Sequence, residues 1–181
     1  MRFIGDVHGK IEEYKELVEV ESLQVGDMGF DYSDLDVSRD HRFVCGNHDN
    51  YHNLPPQALI GYGMWREIFY ISGGYSVDKT HRREGRDWFA EEELSVLSLN
   101  NAIDYCLRTK PQTIVTHSAP SSIVEMMFDK VIQSRTKDAL QSLFELFQPK
   151  LWVFGHFHTS WQEEVNGTKF ICLDELEVYN D

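Results

Sequence analysis

The sequence is poor in several kinds of residue, and each shortage excludes a class of protein. It has three cysteines in 181 residues, Cys45, Cys106 and Cys172, and they share no short spacing. This argues against a disulfide framework and favours buried, reduced thiols in a cytoplasmic protein. No apolar run approaches the roughly 20 residues of a membrane span, and the first residues lack the apolar core of a signal peptide. We therefore expect a protein without a membrane partner.

Positive charge is also scarce. The chain has 17 Lys and Arg against 30 Asp and Glu, a net charge of −13. A protein that binds long nucleic acid needs a face rich in Lys and Arg, so this class is disfavoured. The acidic excess does not argue against a metal site, because carboxylates that bind cations are counted in it. The length and the 41% hydrophobic content predict one domain, residues 1–181, with a substantial core.

The most informative stretch begins where an apolar run, Phe43–Cys45, ends and is followed by Asn47, His48 and Asp49. Three adjacent polar residues are unsuited to a core, because each would need its own buried partner. They suit a site instead. The Asn oxygen can bind a metal without adding charge, the His can donate a proton near neutral pH, and the Asp can hold that His in one tautomer.

Four other predicted strands end in the same way, each followed by polar side chains, and three of the four following loops contain glycine. The strands are Arg2–Ile4, Leu23–Val25, Thr113–Thr116 and Leu151–Phe154, and the residues that follow them are Asp6 and His8, Asp27, His117, and His156 and His158. Open α/β folds bind ligands at such strand ends. With Asn47 this makes seven N or O donors, too many for one tetrahedral ion. They fit two ions that share a bridging carboxylate, and donors without thiolate suit Mn, Fe, Zn, Ni or Co.

The remaining sequence patterns predict secondary structure and do not indicate a function. Helical spacing predicts helices over Ile11–Val18, Glu91–Leu107 and about Lys137–Phe147. Antiparallel strands with a turn at Asn166-Gly167 are predicted in the tail, and a β-hairpin is predicted from Ile68–Ile71 to Tyr75–Val77. Residues Phe30 to Asp40 have the composition of an acidic surface loop.

The densest positive charge in the chain is Arg82, Arg83 and Arg86. Two interpretations of this cluster stay open. It is a solvent-exposed group of charges, or Arg82 and Arg83 bind the phosphate of a substrate.

Together the motifs resemble the calcineurin-like metallophosphoesterase family. The resemblance rests on Gly5-Asp6-Val7-His8-Gly9, Gly26-Asp27, Gly46-Asn47-His48-Asp49, Thr116-His117 and Gly155-His156-Phe157-His158. It implies an α/β fold of the four-layer αββα type, in which two mixed β-sheets face each other and helices cover the outside. It also implies a hydrolase that cleaves phosphate esters with a hydroxide bridging two metal ions, most often Mn.

The resemblance further implies a role for each site residue. Asp27 would bridge the ions, and His48 would face the substrate phosphate and protonate or stabilise the leaving oxygen, with Asp49 as its partner. Asn47 would be both a metal ligand and a neighbour of the substrate. The first ion would be held by Asp6, His8, Asp27 and His158, and the second by Asp27, Asn47, His117 and His156.

The sequence departs from the phosphoprotein phosphatases of this family. They carry Gly-Asp-x-x-Asp-Arg-Gly and Gly-Asn-His-Glu, whereas the stretch from Gly26 to Asp31 here has no Arg, and Asp49 replaces the Glu. A small phosphate ester is therefore favoured as substrate, with the choice between monoester and diester open. The alternatives are a nuclease, which the charge disfavours, and a non-catalytic protein-binding scaffold, which the complete set of ligands disfavours.

Overall fold

The computed structural model describes residues 1–19, 21–36 and 40–181. The predicted acidic loop therefore lies partly outside the described residues, at positions 37–39. The described helices are α1 (Ile11–Leu17), α2 (Val96–Thr109), α3 (Ser121–Phe128) and α4 (Arg135–Leu146). The strands are β1 (Arg2–Ile4), β2 (Ser22–Gln24), β3 (Arg42–Val44), β4 (Ala58–Leu59), β5 (Tyr62–Trp65), β6 (Ile68–Ile71), β7 (Thr113–Thr116), β8 (Leu151–Phe154), β9 (Trp161–Val165), β10 (Thr168–Cys172) and β11 (Val178–Asn180).

These strands form two sheets. The first has the order β11-β1-β2-β3-β4, with β11 antiparallel to β1 and the other pairs parallel. The second has the order β5-β6-β7-β8-β10-β9, with parallel strands in the centre and an antiparallel pair at each edge. Both sheets are mixed, as predicted, and the parallel centre of each aligns the carboxyl ends of its strands.

Apolar side chains on the two faces of the strands contribute to three separate apolar layers. Phe3 and Val153 point between the sheets and pack in one cluster. Their neighbours point the other way: Ile4 packs with Tyr14 of α1, and Trp152 packs in the cluster that contains the buried faces of α2, α3 and α4. Because adjacent strand residues face opposite sides, short apolar strands can serve two layers at once. The predicted four-layer αββα sandwich is confirmed.

The predicted hairpin is wrong. β6 pairs antiparallel with β5, which precedes it, through a turn in which Arg66 has a φ of 54°. Tyr75–Val77 is not a strand. The backbone N–H and the hydroxyl of Ser76 donate hydrogen bonds to the carboxylate of Glu92 instead, so this segment is held by a side chain and not by a neighbouring strand.

One helix begins at a different residue from the one predicted, and another helix was not predicted. α2 begins at Val96 and not at Glu91, because Ser95 caps it by accepting a hydrogen bond from the Ser98 N–H at 3.1 Å. The acidic residues before it form a separate 3₁₀ turn, Ala90–Glu92. α3 has no counterpart among the predicted helices.

The three cysteines are buried and unpaired, as predicted. The tail strands β9 and β10 pair antiparallel around Asn166-Gly167, also as predicted. In the part of the chain that the structure describes, no helix is long and apolar enough to cross a membrane.

His41 joins α1 to the first sheet as a fully buried, neutral imidazole. The Ser22 hydroxyl donates to the Glu19 carbonyl at 2.7 Å, so it accepts from Nδ1 of His41 at 3.0 Å. The Tyr14 hydroxyl then donates to Nε2. A proton on Nε2 would point at the Tyr14 hydroxyl proton and repel it. Burial also disfavours the charged ring and lowers the pKa of His41 to about 4.

We expect acid to destabilise the fold through His41. An unfolded histidine has a pKa near 6.5, so the unfolded chain binds more protons as the pH falls from 6.5 towards 4. This contribution to the free energy of unfolding is complete above pH 6.5 and falls by about 2 kcal/mol by pH 5. Urea unfolding of wild type and His41→Gln from pH 7.5 to 5 measures it, and equal pH slopes in the two proteins would contradict it.

Candidate metal centre

All seven predicted ligands meet in one place, at the carboxyl ends of β1, β2, β3, β7 and β8. Six of them form two clusters of potential metal ligands, whose ligand atoms lie within 4.8 Å of one another inside each cluster. The first cluster is Asp6, His8, Asp27 and His158, and the second is Asp27, His117 and His156. Asp27 belongs to both, which is the place predicted for a bridging carboxylate.

In the first cluster, imidazole nitrogens and carboxylate oxygens point towards one another, and few of them are satisfied by hydrogen bonds within the protein. Nε2 of His8 lies 2.9 Å from Nε2 of His158 and 3.8 Å from Oδ2 of Asp27. Nε2 of His158 lies 3.6 Å from Oδ2 of Asp6. Oδ1 of Asp6 is buried and has no hydrogen-bond partner among the described residues. Oδ2 of the same carboxylate faces the imidazole nitrogens of His8 and His158, and such a donor set fits a divalent cation.

The second cluster is centred on His117. Its Nε2 lies 3.1 Å from Oδ1 of Asp27, 3.0 Å from the amide oxygen of Asn47 and 3.2 Å from Nδ1 of His156. Nδ1 of His117 donates to the Val25 carbonyl at 3.1 Å. That bond fixes the tautomer and leaves Nε2 directed into the cluster, as in histidine ligands generally.

Four of these residues have a strained backbone. His8, Asp27, His156 and His158 have positive φ angles of 48°, 57°, 73° and 47°. The left-handed region costs a residue with a Cβ atom roughly 1 to 2 kcal/mol, and strain of this kind concentrates at functional sites. The strain therefore supports a binding role for the loops that carry the predicted ligands.

Two glycines allow the carboxylates to lie against the backbone. A Cβ atom on Gly155 would lie 2.1 Å from Oδ1 of Asp6, and one on Gly46 would lie 2.2 Å from Oδ1 of Asp27. Any side chain at either position would displace a predicted ligand. This is the physical reason for the glycines that flank the polar residues in the sequence.

The electrostatic surroundings differ from one predicted ligand to the next. Burial opposes ionisation of Asp27, but the charge of His117 and its hydrogen bond outweigh burial and lower the pKa of Asp27. Burial likewise opposes protonation of His117, and Asp27 and Asp6 outweigh it and raise its pKa to about 9. Burial, reinforced by His117, holds the pKa of His156 well below its usual value. Metals bind ionised carboxylate and neutral imidazole, so Asp27 and His156 are already in the binding form, whereas an ion at His117 would have to displace a proton.

Asn47 is oriented by two residues that the sequence did not indicate. Its amide nitrogen donates to the Ser76 hydroxyl at 3.1 Å, and that hydroxyl donates to Glu92 at 2.7 Å. The amide oxygen is thereby turned towards His117. Glu92 lies in an acidic run that is indistinguishable in sequence from a solvated surface, yet it is buried.

The structure gives Asp49 a different position from the predicted one beside the His48 ring. Its fully buried carboxylate accepts hydrogen bonds from the backbone N–H groups of Gly46 at 2.7 Å, Asp27 at 3.1 Å and Gly29 at 3.3 Å. The Tyr32 hydroxyl donates to it as well, at 3.1 Å. Asp49 therefore ties the loop after β2 to the loop after β3.

We expect Asp49→Ala to lower the free energy of unfolding by about 3 kcal/mol, because it leaves buried N–H groups without an acceptor. Urea unfolding of chelated protein at pH 8 measures this, since burial and the charge of Asp27 raise the pKa of Asp49 to about 7. Asp104→Ala, on the exposed face of α2, is the control. A loss no larger than that of the control would contradict the role.

Of the predicted phosphate-binding residues, Arg82 lies at the site and Arg83 does not. The Arg82 guanidinium donates to Nε2 of His48 and pairs with Asp78 at 2.9 Å. Burial, with Arg82 adding to it, lowers the pKa of His48 to about 4. Arg83 and Arg86 are exposed.

Comparison with known proteins agrees with this geometry. The family model described as calcineurin-like phosphoesterase matches residues 2–160. No curated protein matches the sequence.

Among solved structures, the fold is similar to that of the protein TT1561 from Thermus thermophilus, with 13% identity and a TM-score of 0.57 over 97% of this chain and 89% of that one. It is also similar to a putative 5'-nucleotidase from Staphylococcus aureus, with 13% identity and a TM-score of 0.54 over 98% of this chain and 49% of that one. At such low identities these likenesses support the fold alone.

Proposed function

Since the chain belongs to the calcineurin-like phosphoesterase family, we propose that it is a metal-dependent hydrolase that cleaves a phosphate ester at a site for two divalent ions. The observation that carries the proposal is the pair of Asp and His clusters that share Asp27. Next to them lie two side chains suited to a phosphate, His48 and Arg82.

The residues of the two clusters fit two ions. The first would be held by Asp6, His8, Asp27 and His158, and the second by Asp27, Asn47, His117 and His156. Two divalent ions would lower the pKa of a shared water and neutralise phosphate oxygens. Mn is the proposed metal, and Fe, Zn, Ni and Co suit the same donors.

The protein side chains would orient the ester and supply protons. The Arg82 guanidinium, freed from His48, would donate two hydrogen bonds to phosphate oxygens. Nε2 of His48 would carry the proton that the leaving oxygen needs, since a bound phosphate anion favours the protonated ring. Water adds its oxygen to phosphorus, the ester P–O bond breaks, and the alcohol leaves with a proton. Asn47 would contribute an oxygen without adding a negative charge opposite the anionic substrate.

We also propose a small ester as the substrate and the cytoplasm as the compartment. A net charge of −13 disfavours a nuclease acting on long nucleic acid. The three buried thiols without disulfide partners suit a reducing compartment.

Hydrolysis of p-nitrophenyl phosphate and bis-p-nitrophenyl phosphate tests the proposal. Chelated protein would be assayed with and without Mn²⁺, and its metal content would be measured by mass spectrometry. We expect two ions per chain and release that depends on the metal. Release mainly from the monoester would identify a phosphatase, and release mainly from the diester a phosphodiesterase.

Protein that contains two ions and releases p-nitrophenol from neither ester would contradict the proposal. Release that is equal with and without metal would contradict the metal-dependent mechanism.

A further inference from the structure

The cavity beside His48 extends well beyond the atoms that a phosphate group would occupy. It has a volume of about 520 Å³ and runs from Asp27, His48 and His156 to an apolar wall. Three side chains of that wall are unusually exposed for their type: Val77 at 61%, Phe128 at 44% and Ile132 at 56%, and Phe157 completes it. Exposed apolar surface concentrated beside a polar site is typical of a ligand-binding wall.

The wall contains a pair of aromatic rings. The Phe128 and Phe157 rings lie 5.6 Å apart between centroids and are tilted by 42°, so they form two sides of a corner. Phe157 is itself in edge contact with His156, at 4.9 Å. A planar ring attached to a phosphate near the clusters would reach this corner. Aromatic pairs prefer such offset and tilted arrangements.

Two lysines add positive charge at the same wall. Lys130 is exposed, and Lys137 is only 3% exposed. Both line the cavity. The Lys137 ammonium donates to the Ile132 carbonyl at 2.8 Å and lies 5.9 Å from the Phe157 ring centroid. It also lies in the first turn of α4, where the helix dipole disfavours a cation. The charge of Glu93 favours this ammonium, and an anion bound in the cavity would favour it further.

The opposite side of His48 has the reverse charge. A second cavity of about 600 Å³ begins at His8 and His48 and is lined by four acids, Glu12, Glu13, Asp31 and Asp34. An anionic substituent would be repelled there and attracted to the lysine side. Asp78 also lines the lysine side but is paired with Arg82, so the asymmetry of charge favours one orientation of the substrate.

We propose that the substrate is a phosphate ester whose leaving group is an aromatic ring carrying its own negative charge. The ring packs against Phe128 and Phe157, and its anionic substituent faces Lys130 and Lys137. This inference rests on the proposed function, because it places the phosphate at the two clusters.

Phosphonates, in which carbon replaces the ester oxygen, test it without any turnover. Binding of methylphosphonate, phenylphosphonate and 4-carboxyphenylphosphonate to the Mn²⁺-loaded protein would be measured by calorimetry. We expect the phenyl group to tighten binding roughly three- to tenfold over methyl. The carboxylate should tighten it about fivefold more.

Variants of the wall residues, each with a matched control, show which residue produces each gain in affinity. Phe128→Ala should remove most of the difference between phenyl and methyl, while Leu97→Ala, an apolar residue on α2 that is 71% exposed, should leave it unchanged. Lys130→Ala should reduce the gain from the carboxylate, while Lys150→Ala, an exposed lysine immediately before β8, should not.

Two results would overturn the inference: equal binding of the three phosphonates, or variants that keep both differences. If p-nitrophenyl phosphate is hydrolysed while the phosphonates bind equally, the leaving-group wall is wrong and the phosphoesterase stands. If the phosphonate differences appear without hydrolysis of any ester, the wall stands and the proposed reaction is wrong.

Discussion

Asp27→Asn should lose both metal ions together and lower kcat/KM by at least about a thousandfold. Oδ1 of Asp27 lies 3.1 Å from Nε2 of His117 in one cluster, and Oδ2 lies 3.8 Å from Nε2 of His8 in the other. An amide keeps an oxygen in one cluster, loses the negative charge and places an N–H₂ group against the other cluster. Metal content by mass spectrometry and turnover of p-nitrophenyl phosphate measure the two losses.

The control for Asp27→Asn is Asp104→Asn, which removes the same charge from the exposed face of α2. It should retain two ions and full turnover. The bridging role would be refuted by Asp27→Asn protein that still holds two ions, whatever its activity.

His48→Asn should keep both ions and lose about a hundred- to ten-thousandfold in kcat. The His48 ring belongs to neither ligand cluster, and its Nε2 meets the Arg82 guanidinium at the wall of the cavity. The variant keeps the backbone N–H that donates to Oδ1 of Asp27 at 2.7 Å, so the bridging carboxylate stays in place. Turnover and metal content measured on the same sample separate the two effects.

His52→Asn is the matched control for His48→Asn. His52 is exposed and four positions away, and its ring touches Phe89, so its loss should leave turnover unchanged. Full activity of His48→Asn would exclude the proton-donating role.

The sequence predicts the ligand set because each ligand follows a local pattern. Residues such as Asp6 and His117 come directly after short apolar runs, and parallel strands bring their carboxyl ends to one edge without further information. The order of the strands within each sheet does not have to be known for this. The four-layer fold follows from the family resemblance and is confirmed by the two sheets.

The contacts that orient the ligands could not be read from the sequence. Whether Ile68–Ile71 pairs with the strand before it or the segment after it depends on where Ser76 is held, and Ser76 is held by Glu92, 16 residues away. Asp49 reaches across 22 residues to the Asp27 N–H. Such long-range hydrogen bonds have no periodic signal, so local patterns locate the ligands but not their supports.

The two sheets contribute different halves of the candidate centre. Asp6, Asp27 and Asn47 follow strands of the first sheet, while His117 and His156 follow strands of the second. An ion held in the second cluster would therefore add a cross-link between two layers that already meet through apolar side chains and the hydrogen bond from His117 to the Val25 carbonyl. By mass action, free metal at a hundred times its dissociation constant would stabilise the folded state by about 2.7 kcal/mol. The lifetime of the folded protein in a cell would then follow the supply of divalent metal, and starvation for that metal would remove the protein as well as its activity.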